Sequence, residues 1–169
     1  MRWLGLAVLL IVGAAGCSDS ADSLDRSATQ RAVGRAVAAE VEPKVLATTC
    51  PADLPAKQGA RFTCEVRLGG DAGILAVRVR QVDEDGRLEV EPAAAVLSDA
   101  AIARALKREL ADRFSRSFQV DCGDQGPAVR PAESVLACTA RDQTGRRTVD
   151  VRIVDAEGTL AFAVRPPKD

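Results

Sequence analysis

The sequence predicts an α+β fold of two tandem repeats, each a helix packed on a small antiparallel β-meander with one internal disulfide. Three observations lead to this prediction: residues that recur about 72 positions apart, a helical period that gives way to a period of two in each half, and four cysteines beyond residue 17. Recurrence over such a distance indicates an internal duplication in which each copy is one folding unit. We place repeat 1 at residues 31–93 and repeat 2 at residues 96–166.

The recurrence is clearest around the cysteines and strands. Cys50 returns as Cys122, and Cys64 returns as Cys138 after a gain of two residues. Other matched pairs are Val77 and Val149, Val79 and Val151, Asp83 and Asp155, and Gly86 and Gly158.

Residues 1–16 resemble a bacterial lipoprotein signal peptide. Arg2 supplies the positive charge, and the apolar run from Leu4 to Gly16 is shorter than the ~20 residues that a membrane-spanning helix needs. Small residues then lead directly to Cys17, which such a signal makes the lipidated first residue of the mature chain. We therefore expect an extracytoplasmic protein anchored to the cell membrane through Cys17, the alternative being a plain signal peptide with a chance cysteine.

The composition limits the chemistry of the mature chain. Residues 17–30 are small and polar without an apolar period, which predicts a flexible tether. The formal net charge of −1 gives no indication of a nucleic-acid partner. The chain has no histidine, so Ser-His, Cys-His and His-zinc sites are excluded, and we expect no cofactor and no metal.

Each half then begins with a helix. The apolar positions, spaced by four residues, are Val33, Val37 and Val41 in the first half and Ile102, Leu106, Leu110 and Phe114 in the second. This spacing places them on one helical face. Ser98 or Asp99 is a natural cap for the second helix, and Pro43 ends or kinks the first.

The period changes to two after each helix. Apolar residues at alternate positions are Phe62, Cys64, Val66 and Leu68 in the first half, and strands of the second half lie near Val135–Ala140, Val149–Ile153 and Leu160–Val164. Such alternation predicts strands with one buried face. Each half should form a meander of three or four short strands. The two meanders could also pair through their open edges into one longer sheet.

Four cysteines allow three pairings. Only the pairs Cys50–Cys64 and Cys122–Cys138 give each repeat a bridge of its own, so we predict these two disulfides. Zinc binding by the four cysteines is disfavoured because no two of them form a C-x-x-C motif.

The first half contains a set of residues whose identity and spacing are similar to those of a known family. These are Cys50-Pro51, Lys57-x-Gly59-x-x-Phe62-x-Cys64, Val77-x-Val79 and Asp83-x-Asp85-Gly86. They resemble domain of unknown function 4333, which occurs in exported proteins and lipoproteins of actinobacteria. The likeness covers about Val33 to Pro92, and the second half departs from it, with Gly123 where the first has Pro51. The resemblance implies an envelope location and paired cysteines, and no activity.

The acidic segment VDEDG, residues 82–86, has three alternative interpretations: a cation site, a catalytic acid pair or an acidic turn. Its counterpart in the second half keeps Asp155, one further acid and Gly158, which are the residues a hairpin turn requires. A calcium loop would need an acid at Pro92 and helical flanks, so we predict a turn.

Outward arginines of the first sheet could form a face that contacts anions. They are Arg61, Arg67, Arg78 and Arg80. Glutamates alternate with them, so an ordinary charged surface is the simpler interpretation.

These observations favour a non-enzymatic cell-envelope lipoprotein that acts as a binding or adaptor module for an unknown envelope protein or polymer. The alternatives are a hydrolase that uses carboxylates or a serine, and a passive structural protein of the envelope. The ligand, the oligomeric state and the biological process do not follow from the sequence.

Overall fold

The computed structural model describes residues 23–166. In that range the elements are α1 (Arg26–Glu40), β1 (Val45–Thr49), β2 (Arg61–Leu68), β3 (Ile74–Gln81), β4 (Leu88–Pro92), β5 (Ala95–Leu97), α2 (Asp99–Phe114), β6 (Gln119–Asp121), β7 (Ala128–Arg130), β8 (Val135–Asp142), β9 (Gly145–Ile153) and β10 (Leu160–Val164). The pairs among these strands are antiparallel. The prediction of an α+β protein with antiparallel sheets is confirmed.

The strands form two sheets of four and one of two. The first large sheet has the order β1-β2-β3-β4, and the second has the order β6-β8-β9-β10. The two sheets also share a register, because Cys64 lies opposite Val77 in one and Cys138 lies opposite Val149 in the other. Positions on the two inner faces can therefore be compared one by one.

α1 packs on the first sheet through a single stripe. Thr29, Val33 and Val37 are its buried residues, and a spacing of four keeps them on one side of the helix. Val33 and Val37 share a core with Val66 and Val77 of the sheet. The apolar faces of helix and sheet are thus buried against each other.

α2 packs on the second sheet in the same way. Ile102, Leu106 and Leu110 share a core with Val149 and other strand residues. Phe114, which we predicted to continue this stripe, is instead 46% exposed. The stripe stops there because the helix ends at this residue and the chain turns away through the left-handed region.

The first helix begins earlier than the sequence predicts. The prediction of a flexible tether over residues 17–30 is wrong for residues 26–30, because α1 starts at Arg26. Asp25 caps it by accepting a hydrogen bond from the backbone N–H of Ala28. The polar composition concealed these first turns, in which only Thr29 is buried.

A two-stranded ribbon connects the halves. β5, in the short joint, pairs with β7 of the second half. The backbone N–H of Val129 in β7 donates to the carbonyl of Ala72, in the β2–β3 turn, at 2.9 Å. Val129 also packs against the first core. The halves touch through this ribbon, and the possible single longer sheet is not formed by the described strands.

A buried ion pair fixes the start of α2. Ser98 caps the helix, as predicted. The Oδ1 atom of Asp99 lies 2.5 Å from Nη2 of Arg130, and its Oδ2 accepts a hydrogen bond from the backbone N–H of Gln125 at 2.9 Å. Gly123 has φ 110°, and a Cβ there would lie 2.6 Å from Oδ2. This contact explains why glycine stands where the first half has proline.

Candidate functional site

The structure contains the two predicted disulfides. Cys50 is bonded to Cys64 and Cys122 to Cys138. Each bridge ties the residue after the first strand of a large sheet to the second strand of that sheet. Cys17 and the signal segment lie outside the described residues, so lipidation at Cys17 stays a prediction.

The arginines of the predicted anion-contact face lie on the exposed side of the first sheet. They are Arg61, Arg67, Arg78 and Arg80. Arg78 and Arg80 are each paired with a glutamate of β4, at 3.0 and 2.6 Å. Exposed pairs of this kind contribute little to stability, but they neutralise two of the four charges. Arg61 and Arg67 are left near opposite ends of β2, and contact of this face with an anion stays a prediction.

The VDEDG segment is a hairpin turn, as predicted. Oδ1 of Asp83 accepts a hydrogen bond from the backbone N–H of Arg87 at 2.9 Å, and Gly86 has φ 81°. In the second half, Asp155 accepts from the backbone N–H of Thr159 at 2.9 Å. The hydroxyl of Thr159 and that backbone N–H also hold the pKa of Asp155 below its ordinary value. Within residues 23–166, no three His, Cys, Asp or Glu side chains are grouped to hold a metal ion.

A recess of about 260 Å³ opens at one end of the second half, between the C-terminal end of α2 and the β8–β9 hairpin. Its apolar wall consists of Leu110, Phe114, Phe118, Ala140, Val149 and Val164. The inner part of this wall belongs to the second core, whereas Phe114 and Val164 at the rim are 46% and 50% exposed. The recess is therefore an apolar opening that leads from the surface to the core.

A buried carboxylate lines the recess. Oδ1 of Asp142 accepts hydrogen bonds from the backbone N–H and the hydroxyl of Thr144, at 2.8 and 2.7 Å, and from the backbone N–H of Gly145 at 3.1 Å. The Thr144 hydroxyl is the main reason that the pKa of Asp142 lies below its ordinary value. Oδ2 is buried and accepts no hydrogen bond from the described residues. Asp142 is thus ionised at neutral pH, and its second oxygen is covered from solvent.

An arginine partly offsets this carboxylate. Nη2 of Arg116 lies 3.1 Å from Oδ2 of Asp142, outside hydrogen-bonding geometry. The guanidinium group lies 5.6 Å from the ring centroid of Phe114 and 5.3 Å from that of Phe118. These distances suit cation–π contacts, which hold the arginine at the rim.

A second arginine occupies a position on the inner face of β9. Arg147 lies on the same face of the strand as the buried Val149 and Val151, but it is itself exposed and lines the recess. Among residues 23–166 it forms no ion pair. Its donors are therefore free to meet a ligand.

The same register positions of the first half are apolar core. Val66 lies opposite Leu75 there, as Ala140 lies opposite Arg147 in the second half. Val66 and Leu75 are fully buried, and Leu68, which stands where the second half has Asp142, is 2% exposed. The second half thus has charged residues where the first half has two buried leucines, and alanine where the first has valine. The recess lies beside these residues.

Sequence reasoning did not find this site. The sequence did contain a clue to it. Asp142 and Arg147 are charged residues at positions where the alternating pattern of the two strands calls for apolar ones. The repeat alignment also sets them against Leu68 and Leu75. What the sequence could not show is that the hairpin end and the last turn of α2 leave room beside these residues.

The residues that carried the family resemblance lie in the bridge, strands and turn of the first half. Residues 9–86 match the Domain of unknown function (DUF4333). The resemblance of the first half to DUF4333 is thus confirmed, and the match ends at Gly86, so the recess lies beyond it. No curated protein and no solved structure matched the chain. Neither α1 nor α2 has the length and apolar character needed to cross a membrane.

Proposed function

We propose that the chain is a non-enzymatic lipoprotein of the cell envelope whose folded body is a binding module that takes its ligand in the recess. The observation that carries this proposal is the replacement of core leucines by Asp142 and Arg147 beside an open apolar wall. Arg147 is exposed at the opening and forms no ion pair among the described residues, so its guanidinium group favours recognition over packing.

The charged groups of the recess suit binding better than proton transfer. Asp142 uses one carboxylate oxygen to hold the turn backbone through Thr144 and Gly145. A guanidinium group donates hydrogen bonds and has no acceptor atom, so Arg116 and Arg147 suit binding of an anion rather than removal of a proton. A binding or adaptor role is therefore favoured over hydrolysis.

The body is also proposed to be two copies of one DUF4333-type unit, as in exported actinobacterial proteins. The shared strand order and the matching register of Cys64 with Val77 and of Cys138 with Val149 support this. Divergence of the second copy then accounts for the recess, because one copy kept an apolar end while the other acquired charges.

The envelope location is supported by the cysteines. Two buried disulfides are typical of an oxidising compartment, and the signal-like segment ends directly before Cys17. A lipoprotein signal brings more than one acyl chain, which is enough for stable anchoring.

Changing Cys17 to alanine tests this location. We expect the full chain to be found in the membrane fraction of its native host, and Cys17→Ala to move most of it to the soluble or secreted fraction. The variant Ser18→Ala is the matched control and should stay with the membrane. Cys17→Ala protein that remains membrane-bound would show that the lipid is not its anchor.

A further inference from the structure

We propose that the recess binds a small amphiphilic carboxylate, with its apolar body on Phe118, Val149 and Val164 and its carboxylate on Arg147 and Arg116. This inference rests on the proposed binding function and adds the chemical class of the ligand.

The size of the recess limits the apolar part. Small-molecule pockets commonly measure about 300–1,000 Å³, and the recess, at about 260 Å³, lies just below that range. A methylene group is similar in size to a water molecule, which takes ~30 Å³ in the liquid. The recess therefore suits a chain of roughly eight carbons or one aromatic ring, and it is too small for a whole membrane lipid.

The charges of the recess determine the sign of the head group. The lining of the recess includes two arginines, Arg116 and Arg147, and one carboxylate, Asp142, which leaves a net positive charge. Arg147 forms no ion pair within the described part of the chain, and Arg116, which lies near the rings of Phe114 and Phe118, approaches Asp142 through Nη2 alone. Guanidinium groups bind carboxylates through paired, charge-assisted hydrogen bonds. An anion is favoured, and a cationic amphiphile is repelled by the same groups.

Asp142 also contributes to the choice of ligand. Its ionised carboxylate cancels one of the two positive charges, so the recess matches a single negative charge. The second oxygen, Oδ2, is buried beside Nη2 of Arg116, so Asp142 acts on the ligand through its charge.

The first half provides an internal comparison. Leu68 and Leu75 fill the corresponding core positions there, and Val129 of β7 is hydrogen-bonded to the adjacent turn at Ala72. That end is therefore both apolar and covered by the second half. A carboxylate should bind only at the end that carries Arg147.

The test uses residues 18–169, which contain every described element and lack the lipidated Cys17. Amide NMR spectra are recorded during titration with octanoate, octanol and octylammonium, all below their aggregation concentrations. Octanoate should shift the amides of Ala140, Gly145 and Val149 and bind at least roughly tenfold more tightly than octanol, since hydrogen bonds to charged groups are worth more than neutral ones. Octylammonium should bind more weakly than octanol.

Two exposed, neighbouring arginines provide matched variants. Arg147→Gln should reduce octanoate affinity to about that of octanol while leaving octanol binding unchanged. Arg146→Gln, whose side chain lies on the opposite face of β9 because strand residues alternate, should bind octanoate as the unaltered chain does.

The outcomes separate the two proposals. Equal affinity for octanoate and octanol, or an unchanged octanoate affinity in Arg147→Gln, would overturn the carboxylate assignment and leave a binding recess. If none of the three probes shifts the recess amides, binding at this site is also rejected. Anchoring through Cys17 is measured separately and does not affect either result.

Discussion

Replacing Asp99 with alanine is expected to lower the free energy of unfolding by about 3–5 kcal/mol, the usual cost of breaking a buried ion pair. The side chains of Asp99 and Arg130 are only 7% and 13% exposed. Removal of the carboxylate leaves the Arg130 guanidinium without its counter-ion, and it removes the acceptor of the Gln125 backbone N–H. The loop that carries β7 would lose both of its side-chain ties to the start of α2 and keep the hydrogen bond from the backbone N–H of residue 99 to the carbonyl of Gln125.

Urea unfolding followed by circular dichroism measures this effect. The exposed pair of Glu133 and Arg152 is the control, because its side chains are 66% and 52% exposed. Glu133→Ala should cost less than about 1 kcal/mol. If Asp99→Ala costs no more than Glu133→Ala, the buried pair does not hold the ribbon as described.

Removing the Cys50–Cys64 bridge is the change with the second-largest expected effect. The cysteines are 14 residues apart in sequence, and closing a loop of that length contributes about 3 kcal/mol in the chain-entropy model. Both residues are buried in the first core, and a unit of this size has little further apolar surface with which to offset the loss.

The double variant Cys50→Ala/Cys64→Ala is compared with the unaltered chain by urea unfolding under non-reducing conditions. Cys122→Ala/Cys138→Ala, which opens a loop of similar length, should cost about the same. A loss below about 1 kcal/mol in either variant would mean that the bridges are not needed for stability.

The fold was largely predictable from local patterns. The stripes through Val33 and Ile102 marked the helices, because burial of one helical face leaves a period of four in the sequence. The recurring cysteines gave the disulfides. The start of α1 was not predictable in the same way, because its first turns bury only Thr29 and polar residues there resemble a tether.

Features that depend on contacts between the halves were missed. β5 and β7 have three residues each, which is too short for an alternating pattern to be recognised in the sequence. Val129 of β7 packs against the first core, and this contact between the halves holds the strands in place. The recess was missed for a related reason. The charges at Asp142 and Arg147 are visible in the sequence, but the space beside them results from how α2 ends over the sheet.

The most direct test of the account is to measure stability and octanoate binding together in Arg147→Leu, which restores the residue that the first half buries at this register position. Burial of the leucine side chain in the recess should raise the free energy of unfolding by about 1 kcal/mol, since only part of a full leucine burial is gained. Octanoate affinity should fall at least roughly tenfold with the charge removed. Arg146→Leu, on the opposite face, should show neither change. If Arg147→Leu lowers the free energy of unfolding and leaves the octanoate affinity unchanged, the claim that Arg147 stands at a core position to make a binding site is contradicted.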